Sequence, residues 1–231
     1  MSEKLFEPDQ DLIAHARSVF AGREHMFWVI GGAASGKSTV SAAIVANYDI
    51  ALIDMDARTY GSFFGRYDPI RHPASTAWIS AENPLAYLLS MSWEQFNSYN
   101  RTAQTECLDL LADDLVELPS DRPMLVDGGI THPSLLAQCV SAEKIVCLSA
   151  PDAIRVHEWE TADNRAEMRQ WVHSLPDGES MWQKFLRFDH LMTEMLLRES
   201  RAAQLLVFER TVDTLIDTVS HSVATYFDLT I

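Results

Sequence analysis

Two rhythms of hydrophobic and polar residues alternate along the chain. Short runs that stay apolar almost to their last residue occur at Met26–Ile30, Ile50–Asp54, Met124–Asp127, Ile145–Leu148 and Leu205–Phe208. Runs of this length and uniformity predict strands buried on both faces. Between them lie segments with helical spacing. Asp11–Ala21 places Leu12, Ile13, Ala16, Val19 and Phe20 on one side, and Val40–Ala46 is rich in alanine. A long helix is predicted to begin at Ser92, where Gln95 three residues on completes a capping-box pattern. Its apolar face runs through Trp93, Phe96, Ala103, Cys107, Leu110, Leu111 and Leu115, and Pro119 and Pro123 bracket its exit. A second long helix covers about 180–201, with Met181, Phe185, Phe188, Met192 and Met195 at spacings of four and three. A final helix carries Val212, Leu215, Ile216, Val219 and Val223. Apolar strands alternating with helices predict an α/β fold with a five-stranded parallel sheet covered on both faces, a three-layer α/β/α arrangement. With no linker or repeat in view, residues 1–231 read as one domain. It would carry an insertion at 58–91 and a candidate lid at 150–175.

In such sheets ligands bind beyond the carboxyl ends of the strands, so chemistry is sought just after each one. After the first strand comes Gly31-Gly32-Ala33-Ala34-Ser35-Gly36-Lys37-Ser38-Thr39, which fits the phosphate-loop pattern G-x-x-x-x-G-K-S/T in the strand–loop–helix setting the pattern requires. The glycines would let several N–H groups point at one phosphate, and the following helix adds its positive end. Lys37 is expected to reach the β- and γ-phosphates of a nucleotide, and the Ser38 hydroxyl to ligate Mg²⁺.

The second strand ends in Asp54-Met55-Asp56-Ala57-Arg58. Two acids at alternate positions of a strand face the same side. One could hold Mg²⁺ through water and the other could accept the proton of an attacking hydroxyl. The plainer alternatives are solvated loop acids, or a cap on a following helix. The third strand ends in Asp127-Gly128-Gly129, an apolar strand with an acid at its tip. That is the form of a Walker B element, in which Asp127 would support the metal bound at Ser38. Gly128 and Gly129 would let backbone approach a ligand closely.

Beyond the fourth strand the chain is dense in charge, with Arg155, Arg165 and Arg169 interspersed among Glu158, Glu160 and Glu167. This segment reads either as a lid or as an exposed helix laced with ion pairs. As a lid, Arg155 would contact the nucleotide, and Arg165 and Arg169 would stabilise charge developing in phosphoryl transfer. The 58–91 insertion combines Tyr60, Phe63, Phe64, Tyr67 and Trp78 with Arg58, Arg66, Arg71 and His72. Its glycines and prolines argue against long regular elements at its start. It could cover an acceptor, or form a satellite core under a surface loop.

Composition narrows the classes. With 18 Lys and Arg against 33 Asp and Glu the net charge is −15. This disfavours nucleic acid and anionic membrane surfaces as partners. Hydrophobic residues make up 47% of the chain, enough for one sizeable core. The three cysteines, Cys107, Cys139 and Cys147, lie in apolar stretches with no paired spacing. Reduced core thiols, and hence the cytosol, are expected. The histidines show no ligand spacing, and no G-x-S-x-G elbow occurs.

Taken together, GGAASGKST, IDMDAR and LVDGG resemble the small P-loop kinases, among them shikimate kinase, gluconate kinase and chloramphenicol phosphotransferase. They also resemble bacterial P-loop proteins of ATPase-like or kinase-like type. The resemblance implies a P-loop fold of the nucleoside- and shikimate-kinase type. It also implies ATP and Mg²⁺ as cofactors, metal support from Asp54, acceptor contact from Asp56, and an anion grip from Arg58 or Arg66.

A small-molecule kinase is therefore the leading expectation. A regulatory NTPase is the second, although no Asn-Lys pair is present for guanine recognition and Gly128 stands where motor ATPases place an acid. A nucleotide-binding module without catalysis is the third. The acceptor, the choice of ATP over another nucleoside triphosphate, a catalytic role for the lid arginines and the oligomeric state are left open by the sequence.

Overall fold

A computed structural model describes residues 5–119 and 121–229. The strands are β1 (Met26–Gly31), β2 (Ala51–Asp54), β3 (Met124–Asp127), β4 (Ile145–Ser149) and β5 (Leu206–Glu209). They form one parallel sheet in the order β2-β3-β1-β4-β5. From β1 the chain crosses to the β2 edge, returns through β3, and then passes to β4 and β5 on the other side. The segment after β1 thus lies at the centre of the sheet, where the connections diverge.

Alternation along the strands sorts the core into two layers. Met26, Trp28 and Ile30 of β1, with Met124 and Val126 of β3 and Ile145 and Cys147 of β4, face one way. They pack on α1 (Gln10–Ala21), α6 (Trp93–Val116), α7 (Pro133–Leu136) and α10 (Gly178–Ala202). Phe27, Val29, Leu125, Val146 and Leu148 face the other way, onto α2 (Lys37–Asn47) and α11 (Ile216–Tyr226). The result is a three-layer α/β/α fold.

α6 begins as the pattern predicts. The Ser92 hydroxyl accepts from the Gln95 N–H at 3.2 Å, and the Gln95 side chain accepts from the Ser92 N–H at 2.7 Å. The last helix departs from expectation, because it starts at Ile216. Val212 and Leu215 precede it and are exposed, since Thr211 and Thr214 tie the preceding turn to itself. The inserted region opens with the single turn α3 (Met55–Ala57) and a π-helical turn at Arg58–Ser62. Only then do α4 (Pro73–Ile79) and α5 (Pro84–Ser90) form, each entered through a proline at its start. The candidate lid is two helices, α8 (Asp152–Thr161) and α9 (Ala166–His173). Among the described residues no helix is long and apolar enough to cross a membrane.

Candidate functional site

The register places three strand tips side by side. Asp127 pairs with Val29 of β1 and with Asp54 of β2, and Gly31 pairs with Leu148 of β4. The glycine-rich loop therefore rises between Asp127 on one side and the β4–β5 tips on the other. Gly32 passes so close to α10 that a Cβ there would sit 2.8 Å from the Thr193 hydroxyl. Ala34 lies in the left-handed region at φ 56, a costly geometry for a residue with a side chain. Arg210 Nη1 donates to its carbonyl at 3.0 Å and helps to hold that shape. Lys37 and Ser38 open α2, so both follow the loop directly on the helix N-terminus.

Asp127 is buried, and its Oδ1 has no hydrogen-bond partner among the described residues. The buried hydroxyls of Ser35 and Ser41 are also without partners. Burial pushes the Asp127 pKa up. The Ser38 and Ser41 hydroxyls and the Lys37 ammonium work against that shift, and the Asp56 carboxylate adds to it. The Lys37 ammonium makes no hydrogen bond or ion pair among the described residues. An unpaired buried oxygen, unpaired hydroxyls and an uncommitted ammonium make an incomplete polar cluster, because each buried orphan costs about 1–3 kcal/mol.

Asp56 joins the cluster through the turn after β3. Gly128 and Gly129 have φ of 72° and 71°, which only glycine adopts without strain. The Gly129 N–H donates to Asp56 Oδ1 at 3.2 Å. A Cβ on Gly128 would meet Asp56 Oδ2 at 3.1 Å and Lys37 Cε at 3.3 Å. These glycines are thus the floor on which Lys37 and Asp56 converge. They lie at strand tips, where the sequence pattern places substrate contacts.

Several sequence expectations need correction. The alternation argument for Asp54 and Asp56 fails, because β2 stops at Asp54 and the chain turns helical. Asp54 caps that turn, its Oδ1 accepting from the Ala57 N–H at 2.9 Å. It remains level with Asp127, with one oxygen so engaged. Arg155, expected on the nucleotide, is instead 1% exposed and ion-paired with Asp189 and Asp152. It also donates to the Thr193 hydroxyl at 2.8 Å, the same hydroxyl that Gly32 approaches. Arg155 therefore braces the loop from below.

Arg58 and Arg66, expected to grip an anion, both pair with Asp114 of α6, Arg66 at 2.5 Å. Neither is a free cation. Arg165 and Arg169 gather on one tryptophan. The Arg165 guanidinium lies 4.3 Å from the Trp159 ring centre, and Arg169 donates to the Trp159 carbonyl at 2.7 Å. Trp159 belongs to an aromatic cluster with Trp182, Phe185 and Phe188 that packs against Ala33 of the loop. α8 and α9 are thus seated beside the loop, with their arginines held on their own framework.

Arg210 is the residue that sequence reasoning missed. It follows β5 directly, and the same strand-end rule would have found it had the reading continued past Phe208. It borders a cavity of about 50 Å³ lined by Ser35, Leu148, Phe208 and Ile216, between the loop and α11.

No protein-family model matches the chain, and no curated protein matches it. Among solved structures, TT1252 from Thermus thermophilus is similar over 90% of this chain and 100% of its own length, with a TM-score of 0.54 and 18% identity. At that identity the likeness speaks to the α/β fold alone.

Proposed function

We propose that the chain is a P-loop phosphotransferase of the small-kinase type, moving the γ-phosphoryl group of ATP to a hydroxyl of a small molecule. The observation that carries this reading is the incomplete cluster at the strand tips: Lys37 uncommitted, and Asp127 Oδ1, Ser35 and Ser41 buried without partners. A phosphate chain and a divalent cation complete such a cluster with complementary charge. One lysine faces three aspartates, Asp54, Asp56 and Asp127, a negative excess that suits a cation. Mg²⁺ would be held by the Ser38 hydroxyl and Asp127, with Asp54 close by, and would neutralise charge on the β- and γ-phosphates.

The chain's own residues carry the remaining work. Backbone N–H groups of 31–39 hold the phosphates, and Lys37 stabilises charge on the group in flight. Asp56 takes the proton of the acceptor hydroxyl as the new O–P bond forms and the bond from the γ-phosphorus to the bridging oxygen breaks, releasing ADP. Gly129 fixes the orientation of Asp56 by its hydrogen bond to Oδ1, leaving Oδ2 for the proton. The aromatic cluster of the candidate lid, packed on Ala33, would exclude water from the loop.

A thermal-shift titration tests the reading. Mg·ATP at a hundredfold over its Kd should add about 2.7 kcal/mol of stability, and Lys37→Ala should remove that gain and abolish turnover without unfolding the chain. No stabilisation by ATP or GTP, or undiminished turnover in Lys37→Ala, would sink it.

A further inference from the structure

At the opposite end of the sheet from the glycine-rich loop, the start of β1 borders a cavity of about 280 Å³. At ~30 Å³ per water, that is room for a ligand of roughly ten heavy atoms. Phe20, Met26 and Val140 are among its apolar lining residues, and Arg23, Trp28 and Lys144 are the lining residues that carry nitrogen donors. Arg23 is 4% exposed. Its Nη1 donates to Pro119 O at 3.0 Å and its Nη2 to the carbonyls of Leu118 and Leu115, so the terminal nitrogens close the C-terminus of α6. Its Nε is buried with no acceptor, and so is Nε1 of Trp28.

The charge balance of this wall is one-sided. Arg23 and Lys144 form no ion pair among the described residues, and Lys144 donates only to the Arg23 carbonyl at 3.3 Å. Glu143, the carboxylate next in sequence to Lys144, is exposed, and the nearby Ser141 hydroxyl and its own N–H lower its pKa. Backbone carbonyls alone thus accept from a buried guanidinium, and two buried N–H groups of lining residues have no acceptor. A buried cation is stable when a charged acceptor completes its shell, and an apolar wall favours a ligand whose remainder is hydrocarbon.

We propose that this cavity is a second small-molecule site, which takes a monocarboxylate with a compact apolar body. The carboxylate accepts from Arg23 Nε and Trp28 Nε1, and the apolar body lies against Phe20, Met26 and Val140. The proposal does not rest on nucleotide chemistry at the other end of the sheet.

Benzoate is a suitable probe, with benzyl alcohol as the same ring without the charge. Binding to the full chain without nucleotide is followed by calorimetry and by the indole N–H resonance of Trp28, identified among the six tryptophans by its loss in Trp28→Phe. Benzoate should bind with a Kd near about 1 mM, the level expected of so small a ligand. It should move the Trp28 resonance saturably, and benzyl alcohol should bind about tenfold more weakly or worse, for want of the charged hydrogen bonds. Trp28→Phe keeps the ring in the core and loses no protein hydrogen bond, so it should fold normally and bind benzoate about tenfold more weakly. Arg23→Met should lose binding altogether. A Trp28 resonance that stays still through millimolar benzoate, equal affinity for the alcohol, or unchanged binding in Trp28→Phe would each overturn the site.

Discussion

Around Asp127 polar groups are left without partners, whereas the arginines of the neighbouring segments are each committed. Lys37, Asp127 Oδ1, Ser35 and Ser41 sit at the strand tips unpaired. Arg155 is buried on Asp189 and Asp152, Arg58 and Arg66 share Asp114, and Arg165 and Arg169 close on Trp159. The difference separates two uses of charge. Groups committed to other protein groups spend their interaction energy on holding the fold. Uncommitted groups keep theirs for whatever enters. If this division is right, substitutions among the strand-tip groups change chemistry far more than stability, and substitutions among the arginines do the reverse.

The hardest test of the chemical side is Asp56→Asn. The Gly129 N–H can still donate to the amide oxygen, so the turn should keep its shape, but the amide cannot take a proton. Phosphoryl transfer should fall by about 10²–10⁴-fold, the usual range for a lost general base, while ATP affinity measured by calorimetry stays near wild type. An equal loss of ATP affinity would move Asp56 from the acceptor side to the metal side.

The structural side is tested by Arg155→Met. It leaves Asp189 buried without its counter-charge, and breaking one partner of a buried pair costs about 3–5 kcal/mol. The melting temperature should drop steeply. Because Arg155 also holds the Thr193 hydroxyl against Gly32, some loss of ATP affinity should accompany the drop. A stable Arg155→Met variant with normal stability and no ATP binding would reverse the assignment and return Arg155 to the nucleotide.

How far each side was legible in the sequence follows from the range of the interactions. The loop, the strand tips and the capping box at Ser92 are local, set by residues within a few positions of one another, and the pattern of Gly, Lys, Ser and apolar runs exposes them. The arginines were harder to place, because the carboxylates that hold Arg58, Arg66 and the far side of Arg155 are distant in sequence. Arg58 and Arg66 meet Asp114 across 56 and 48 residues, and Arg155 meets Asp189 across 34. Arg210 reaches Ala34 across 176. Nothing near Arg155 in sequence says that it will be buried. The Asp54 and Asp56 pair failed for a different reason. Alternation presumes that the strand continues, and here Asp54 itself ends it by capping the next turn.

A smaller effect sharpens the metal side of the comparison. Burial raises the Asp127 pKa. A carboxyl with a raised folded-state pKa favours the fold when protonated. Its contribution is full below the unfolded pKa and is lost as pH rises through the folded one. Mg²⁺ requires the carboxylate, so stabilisation by Mg²⁺ should grow across that same window. At a tenfold excess over Kd it should reach about 1.4 kcal/mol. Melting curves with and without Mg²⁺ on both sides of the ordinary carboxylate range check this. Asp127→Asn should flatten the difference.

Arg66→Ala is expected to do least, and for that reason it is the most discriminating of the arginine variants. Arg66 is about one-third exposed and pairs with an Asp114 that Arg58 already holds. Its removal leaves that carboxylate still paired, and half-exposed ion pairs contribute about 0–1 kcal/mol. Stability should change by no more than that. If Asp114 consumes the charge, the KM for any acceptor, anionic or neutral, should also be unchanged within error. A large rise in KM for an anionic acceptor alone would show that Arg66 releases Asp114 when the acceptor binds. The committed arginines would then be a reserve drawn on in the reaction, and the division between the two regions would hold only for the resting protein.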